Sequence, residues 1–121
     1  MQFAQKNFHK KLLGRVGEKR AVKYLKSIGY EIIETNFTTD IGEIDIIAKD
    51  KDYIVFIEVK TRSGIAFGNP SEAVNQKKRE KYKKLATLYL LKTQSDNANC
   101  RFDVIEVIKR NINHIINAFY V

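Results

Sequence analysis

The feature that most constrains the fold is the run YIVFIEVKT at residues 53–61. Its β-branched and aromatic residues predict a strand, and successive side chains of a strand point to opposite faces of a sheet. Glu58 and Lys60 therefore share a face with Ile54 and Phe56, which ought to lie in the core. Because burying a charge is costly unless it is paired, this carboxylate and this ammonium need a structural partner or a function.

The rest of the chain predicts two helices around further strands. Apolar residues at helical spacing predict a helix over 7–28, closed by Gly29, and a second helix from Gln76 onward with Tyr82, Leu85, Ala86 and Tyr89 on its apolar face. The other strands are predicted over 30–36, 42–49, 101–108 and 113–120. Residues 63–70 read as a loop, after which Ser71 is a candidate cap. The order α-β-β-β-α-β-β predicts one α/β domain over 1–121, with a mixed central sheet flanked by helices.

Composition narrows the class of protein. The 121 residues are 44% hydrophobic, which favours one folded domain over a disordered chain. The single cysteine, Cys100, cannot form an internal disulfide, and this fits a reducing compartment. No apolar run approaches the length of a membrane span, so we expect a cytoplasmic protein without a membrane partner.

The charge distribution favours a polyanionic partner. The net charge is +8, and nucleic acid is the natural partner of such a surface, although many basic proteins bind no anion specifically. Residues 1–29 hold eight Lys/Arg and one acid, and residues 77–84 hold six Lys/Arg and one acid. Residues 31–58 reverse the balance, with eight acids and two lysines. This pattern indicates a cation site inside an anion-binding surface, although KKREKYKK alone is more often a solvated helix face.

A second carboxylate, Asp45, is predicted to join Glu58. The turn Asp50-Lys51-Asp52 makes strands 42–49 and 53–61 a hairpin, in which opposite residues point the same way. A turn with an even number of residues brings Asp45, Glu58 and Lys60 to one face, and an odd turn sends Asp45 to the other. Two close carboxylates repel, and a hard ion such as Mg²⁺ or Mn²⁺ removes the conflict. The alternative is a Glu58–Lys60 ion pair on a half-covered edge strand.

Glu18 is a third candidate. It lies one turn from Gly14, between Ala21 and Leu25 on the helical wheel, whereas the neighbouring lysines lie elsewhere. Wheel position alone leaves two options open, a carboxylate that faces the site and one that reaches out from the rim. His9 and His114 are isolated in sequence, and we interpret them as surface or packing residues.

These residues together resemble a known family. The segments GRVGE at 14–18, GEIDIIA at 42–48, FIEVKTR at 56–62, FGNPSEAV at 67–74 and RFDV at 101–104 resemble the YraN family of small bacterial endonuclease-like proteins. The resemblance runs over nearly the whole chain. That family belongs to the PD-(D/E)xK superfamily, so the resemblance implies a restriction-endonuclease-like fold. The name-giving proline before the aspartate is Ile44 here.

The resemblance also implies roles for individual residues. Asp45 and Glu58 would bind Mg²⁺ or Mn²⁺, Lys60 would act in catalysis, and Glu18 would complete the site, as a first-helix glutamate often does in archaeal-type Holliday junction resolvases. Gln76 is a candidate accessory residue. The candidate phosphate contacts are Arg15, Lys19, Arg62, Lys77, Lys78 and Lys81.

The sequence thus predicts a metal-dependent deoxyribonuclease that acts on structured or branched DNA. Two alternatives stay open. The chain could be a non-catalytic nucleic-acid-binding module that retains the fold, or an assembly domain whose basic face meets an acidic protein. Its oligomeric state is also open, with a homodimer as one option.

Overall fold

The computed structural model describes residues 2–62, 75–95 and 97–119, with side chains from Lys11 onward. The described elements follow the predicted order α-β-β-β-α-β-β. They are α1 (Gln2–Ser27), β1 (Glu31–Thr39), β2 (Gly42–Asp50), β3 (Tyr53–Arg62), α2 (Gln76–Lys92), β4 (Asn99–Ile108) and β5 (Asn111–Phe119). The FGNPSEAV segment and the proposed Ser71 cap lie outside the described residues. Asn75 caps α2, and its Oδ1 accepts a hydrogen bond from the Lys78 backbone N at 2.9 Å.

The five strands form one mixed sheet in the order β1-β2-β3-β4-β5. Strands β3 and β4 pair in parallel, and the other three neighbouring pairs are antiparallel. This arrangement confirms the predicted α/β class and puts β3, the strand of Glu58 and Lys60, at the centre of the sheet. The edge-strand alternative for this pair is therefore wrong, because β3 has a partner strand on each side.

The two helices cover opposite faces of this sheet. On one face, Ala21 and Leu25 of α1 pack with Ile46, Val55 and Ile57. On the other face, the predicted apolar stripe of α2 packs with residues that include Phe37, Ile47, Phe56 and Phe102. The helix at α1 is as predicted, but three of the apolar residues at helical spacing that predicted it, Leu12, Val16 and Ile28, are exposed.

Both hairpins of interest have two-residue turns. Asp50 pairs with Tyr53, so Lys51 and Asp52 form the β2–β3 turn, and the even register predicted for this hairpin is confirmed. Ile108 pairs with Asn111 in the same way, which leaves Lys109 and Arg110 at the β4–β5 turn.

The C-terminal end of α1 is also as the sequence predicts. Gly29 has φ of 94°, a left-handed conformation that suits glycine, and it ends α1 as predicted. Neither helix in the described part of the chain combines the length and the apolar character that a membrane crossing needs.

Candidate active site

The site begins where β2 and β3 part. Their regular pairing ends at Ile46 and Ile57, and the next residues along the two strands are Asp45 and Glu58. The backbone N of Val59 donates to Oδ2 of Asp45 at 2.8 Å, so a side chain takes the place of a ladder carbonyl. A gap between two strands opens at this point, and a carboxylate lies in it.

The β1–β2 ladder keeps its register here but lacks a pair between Asn36 and Asp45, while its register shift lies between Ile32 and Glu34. Thr35 pairs with Ile46 and Phe37 with Ile44, and Asn36 between them has φ of 55°. Strict alternation along β2 would put Ile44 on the same face as Ile46 and Ala48, but Ile44 packs on the α2 side and the other two pack on the α1 side. The alternation of β2 is broken at Asp45, and this break places Asp45 beside cavities on both helix sides of the sheet.

A glycine lets α1 approach this gap. A Cβ atom on Gly17 would lie 2.0 Å from Oγ1 and 3.2 Å from Cβ of Thr61, so any side chain there would push α1 away from β3. Glu18 follows directly, and it is only partly exposed. Close contact at Gly17 thus determines how near the Glu18 carboxylate lies to the strands.

Three carboxylates meet at the gap. Glu18, Glu43 and Asp45 each offer an oxygen, and these oxygens lie within 4.8 Å of one another. With its amide nitrogen turned toward them, Asn36 donates to Oε2 of Glu18 at 3.2 Å and to Oε1 of Glu43 at 2.9 Å. Of the two options for Glu18, the structure therefore favours the carboxylate that faces the site.

Glu58 lies beside these carboxylates, and only one of its two carboxylate oxygens accepts a hydrogen bond from a described residue. Its Oε1 accepts a hydrogen bond from Nζ of Lys78 on α2 at 2.7 Å. Its Oε2 is buried and has no hydrogen-bond partner among the described residues. An unpartnered buried carboxylate oxygen is costly. Burial raises the pKa of the Tyr82 hydroxyl, and Glu58, which lies close to it, raises that pKa further; a cation is the other group that could satisfy this oxygen.

Besides burial, repulsion between these carboxylates contributes to the raised pKa values of Asp45 and Glu18. Burial is the largest influence on Asp45, and with the nearby carboxylates of Glu18, Glu58 and Glu43 it raises the pKa to about 7, although the Val59 N–H opposes the shift. The pKa of Glu18 is also raised, first by burial and then by Glu43. Asp45 is therefore poised between its neutral and charged forms near neutral pH.

Two cavities flank the gap. The α2-side cavity has a volume of about 240 Å³, and the α1-side cavity has about 500 Å³. Asp45 and Glu58 line both. The α2-side cavity adds Glu43, Lys78, Lys81, Tyr82 and Leu85, and the α1-side cavity adds Leu13, Gly14, Glu18, Val59, Lys60 and Thr61. The four predicted residues Glu18, Asp45, Glu58 and Lys60 are thus brought to one place.

The predicted phosphate contacts divide into three groups. Arg15 and Lys19 line a further cavity beside Glu18 and Asn36. Lys78 and Lys81 line the α2-side cavity, where Lys78 already pairs with Glu58. The other two line neither of these cavities: Lys77 is exposed at the start of α2, and Arg62 binds buried Glu106 through Nε at 2.6 Å. Gln76, the predicted accessory residue, is also exposed at the start of α2.

A second polar cluster lies elsewhere in the fold, around Asp103 of β4. Its carboxylate accepts hydrogen bonds from Arg101 Nε at 2.9 Å and from the Asn117 backbone N at 2.9 Å, and it lies 2.7 Å from Nε2 of His114. The other ring nitrogen of His114 is 3.0 Å from the Tyr24 hydroxyl. His114 is therefore the packing residue that we predicted, inside a fully partnered network.

The sequence interpretation missed two members of the site. Glu43 lies two residues before Asp45, and strand alternation had already placed both on one face, so the signal was present. Asn36 carried no comparable signal, because its contact with Glu18 depends on how α1 lies over β1.

The donor set fits a hard divalent cation. Carboxylate oxygens are the ligands that Mg²⁺ and Mn²⁺ prefer, and the unpartnered oxygen of Glu58 adds an acceptor beside the cluster. Fold and site together define an α/β protein with a cluster of acidic side chains next to the first helix, at the point where two strands of the central sheet cease to pair.

The chain belongs to the Uncharacterised protein family UPF0102, whose model matches residues 17–107. It is 54% identical over 108 residues to a UPF0102 protein of Clostridioides difficile, covering 88% of this chain and 95% of that protein. It is 53% identical over 115 residues to a UPF0102 protein of Alkaliphilus oremlandii, covering 90% and 98% of the two chains. A UPF0102 protein of Caldanaerobacter subterraneus is 47% identical over 121 residues, covering 94% and 99%.

Proposed function

We propose that this protein is a metal-dependent endonuclease that hydrolyses phosphodiester bonds, with structured or branched DNA as its substrate. The observation that carries the proposal is the set of carboxylates at the gap between β2 and β3. Glu18, Glu43 and Asp45 approach within 4.8 Å, next to a buried Glu58 oxygen that has no partner among the described residues.

A purely structural role accounts poorly for this arrangement. Like charges on a partly buried surface destabilise a fold unless a cation compensates them. Lys78 compensates Glu58, but no salt bridge among the described residues reaches Glu18, Glu43 or Asp45. A divalent cation would relieve this repulsion, and Asp45, Glu18 and Glu43 would hold it with Glu58 at the side.

When bound, Mg²⁺ or Mn²⁺ supplies charge that polarises a phosphate and lowers the pKa of a bound water. The chain's own residues supply the rest. Lys60 lines the same cavity as Glu18 and Asp45, and its ammonium can orient a phosphate and offset negative charge that develops during hydrolysis. Asp45, with a pKa of about 7, can release a proton near neutral pH as a cation binds.

The basic residues on both sides of the site suit a nucleic-acid substrate. Arg15 and Lys19 flank Glu18 on α1, and Lys81 lies beside Glu43 on the α2 side. Cations on two sides of an acidic centre can hold backbone phosphates while the centre acts on the bond between them.

The test is a cleavage assay with supercoiled plasmid, linear duplex and four-way-junction DNA, in Mg²⁺, Mn²⁺ or EDTA. We expect cleavage with either metal and none in EDTA. Asp45→Asn and Lys60→Ala should each abolish it, because one removes a cation ligand and the other removes the ammonium. Exposed residues of the same hairpin provide the matched controls, Asp52→Asn for the first variant and Lys49→Ala for the second. Metal-independent cleavage, or cleavage that survives in Asp45→Asn, would refute the proposal.

One observation favours a second candidate, a nucleic-acid-binding module without catalysis. The Lys78–Glu58 pair at 2.7 Å already neutralises one of the predicted metal ligands from within the chain. A binding module would show salt-dependent DNA binding that neither metal nor Asp45→Asn changes, and no cleavage in any of the assays above.

A further inference from the structure

A third cavity, of about 430 Å³, lies under α1 next to the α1-side cavity. The two share Leu13 and Thr61 as walls. They differ in the strand that bounds them, since Asp45 of β2 lines the α1-side cavity and Val107 of β4 lines the third one. We call the third one the basic cavity. Its lining residues are Leu13, Val16, Gly17, Arg20, Thr61, Arg62, Val107, Lys109 and Arg110.

The charge of the basic cavity is opposite to that of its neighbour. Four of its lining residues are cationic and none is acidic. Arg20 is exposed on α1, and Lys109 and Arg110 are exposed at the two-residue β4–β5 turn. None of these three forms a salt bridge with another described residue. Three uncompensated cations from two separate elements thus surround one concave surface.

Two hydrogen-bond donors in this wall also lack partners. Arg62 binds Glu106 through Nε, but its Nη2 is buried and finds no acceptor among the described residues. The same is true of Oγ1 of Thr61. Both atoms are buried, so they lie behind the surface of the cavity, and the exposed cations Arg20, Lys109 and Arg110 carry the charge that a ligand would meet.

We propose that the basic cavity binds a phosphate group of the nucleic-acid strand whose neighbouring segment lies in the carboxylate site. The inference rests on the proposed function, because the shared walls at Leu13 and Thr61 make the two cavities successive positions for one strand. Arg20, Lys109 and Arg110 neutralise the phosphate.

The experiment is binding of a fluorescent single-stranded oligonucleotide in EDTA, where no cleavage occurs, across a series of salt concentrations. Lys109→Ala/Arg110→Ala should weaken binding about tenfold or more at low salt. It should also reduce the slope of log affinity against log salt by at most about 0.7, since one neutralised phosphate of a single strand contributes about 0.7. Arg20→Gln should act in the same direction with about half the slope change.

The chain offers a matched control at the other hairpin. Lys49→Ala/Lys51→Ala also removes two exposed cations, one near the end of β2 and one in its two-residue turn, and Lys51 and Lys109 have nearly the same backbone conformation, with φ of 54° and 51°. Equal losses in the two double variants would overturn the inference, because they would show only a change in net charge. Circular dichroism melts of all variants confirm that the folded proteins are compared.

Oligonucleotides with a 5′-phosphate or a 5′-hydroxyl distinguish the two sources of a phosphate. An equal loss with both assigns the site to an internal phosphodiester, and a loss confined to the phosphorylated strand assigns it to the terminal group. Binding is measured without metal, so the two proposals can fail separately. Binding that depends on the turn residues, without any DNA cleavage, would refute the proposed nuclease activity and support the phosphate site. DNA cleavage together with binding that does not depend on the turn residues would refute the phosphate site alone.

Discussion

Two aspartates on the same sheet have opposite surroundings. Asp103 is 1% exposed, yet its pKa is lowered, since the hydrogen bonds from His114, Arg101 and Asn117 outweigh the effect of burial. Asp45 is less buried, yet its pKa rises to about 7, because one backbone N–H is opposed by burial and three carboxylates. Burial alone therefore does not determine the charge state of an acid in this fold, and the number of partners does.

The difference separates a structural charge from a candidate functional one. Asp103 joins β4, β5 and the neighbouring Arg101 in a network that is complete within the chain. Asp45, Glu18 and Glu43 form a cluster in which no described residue makes a salt bridge to any of the three. Like charges that remain uncompensated in this way lower the stability of the folded protein.

The largest expected effect comes from neutralising each aspartate in turn. Asp103→Asn should lower the free energy of unfolding by about 3–5 kcal/mol, because it leaves the buried Arg101 guanidinium without its main partner. Asp45→Asn should leave the stability of the metal-free protein unchanged or raise it, since it removes a repelling charge. Urea unfolding of both variants in EDTA measures this contrast, and equal losses would mean that both aspartates are structural.

The dependence of stability on pH should sharpen the same contrast. The folded-state pKa of Asp45 is raised from 3.8 to about 7, so the folded protein holds a proton that the unfolded chain loses. Stability should therefore fall as the pH rises from about 4 to about 7, by at most about 4 kcal/mol. Asp103 acts in the opposite sense, because its lowered pKa gives stability that is lost below about pH 4.

Urea unfolding at a series of pH values in EDTA is the measurement. In Asp45→Asn the decline between pH 4 and pH 7 should largely disappear, while the loss of stability at acid pH remains. A wild-type curve that stays flat over the neutral range would show that Asp45 titrates like an ordinary surface acid.

Metal should stabilise the wild-type protein by mass action. At a hundredfold excess of Mn²⁺ over its dissociation constant, the free energy of unfolding should rise by about 2.7 kcal/mol. Asp45→Asn should abolish this gain, and Glu18→Gln and Glu43→Gln should each reduce it. Thermal melts with Mn²⁺ or EDTA provide the readout, with Asp52→Asn as the control. Identical melts of the wild type in both conditions would favour the binding module.

The smallest expected effect concerns Lys78, which competes with a cation for Glu58. Lys78→Ala should lower the stability of the metal-free protein by about 1 kcal/mol, since it leaves the buried carboxylate unpaired. It should also strengthen Mn²⁺ binding several-fold, because the internal competitor is gone. Calorimetric titration with Mn²⁺ tests this, with Lys77→Ala, one residue away and exposed, as the control. Weaker Mn²⁺ binding in Lys78→Ala would instead make Lys78 a part of the site.

Much of this fold could be predicted without coordinates. Period-two alternation in 53–61 and a hairpin with an even turn are expected to bring Asp45 and Glu58 together, because strand geometry links sequence spacing to direction. The sequence leaves the length of the turn at 50–52 open, and the structure shows two residues there. The buried stripe of α2 followed from helical spacing in the same way. Alternation failed at Ile44, which packs on the α2 side, and Lys60 lines the α1-side cavity although Phe56 packs on the α2 side. No sequence signal marks either departure.

The contacts that give the acids their chemistry depend instead on elements that are far apart along the chain. Lys78 reaches Glu58 from 20 residues away, and Arg62 binds Glu106 across 44 residues. Spacing determines which face a side chain occupies, but the distance between two faces depends on how closely a helix packs on the sheet. At Gly17 that distance is short because no Cβ intervenes between α1 and Thr61. The approach of Glu18 to Asp45, and with it the repulsion that a metal ion would relieve, therefore arises only when the helix is packed in place.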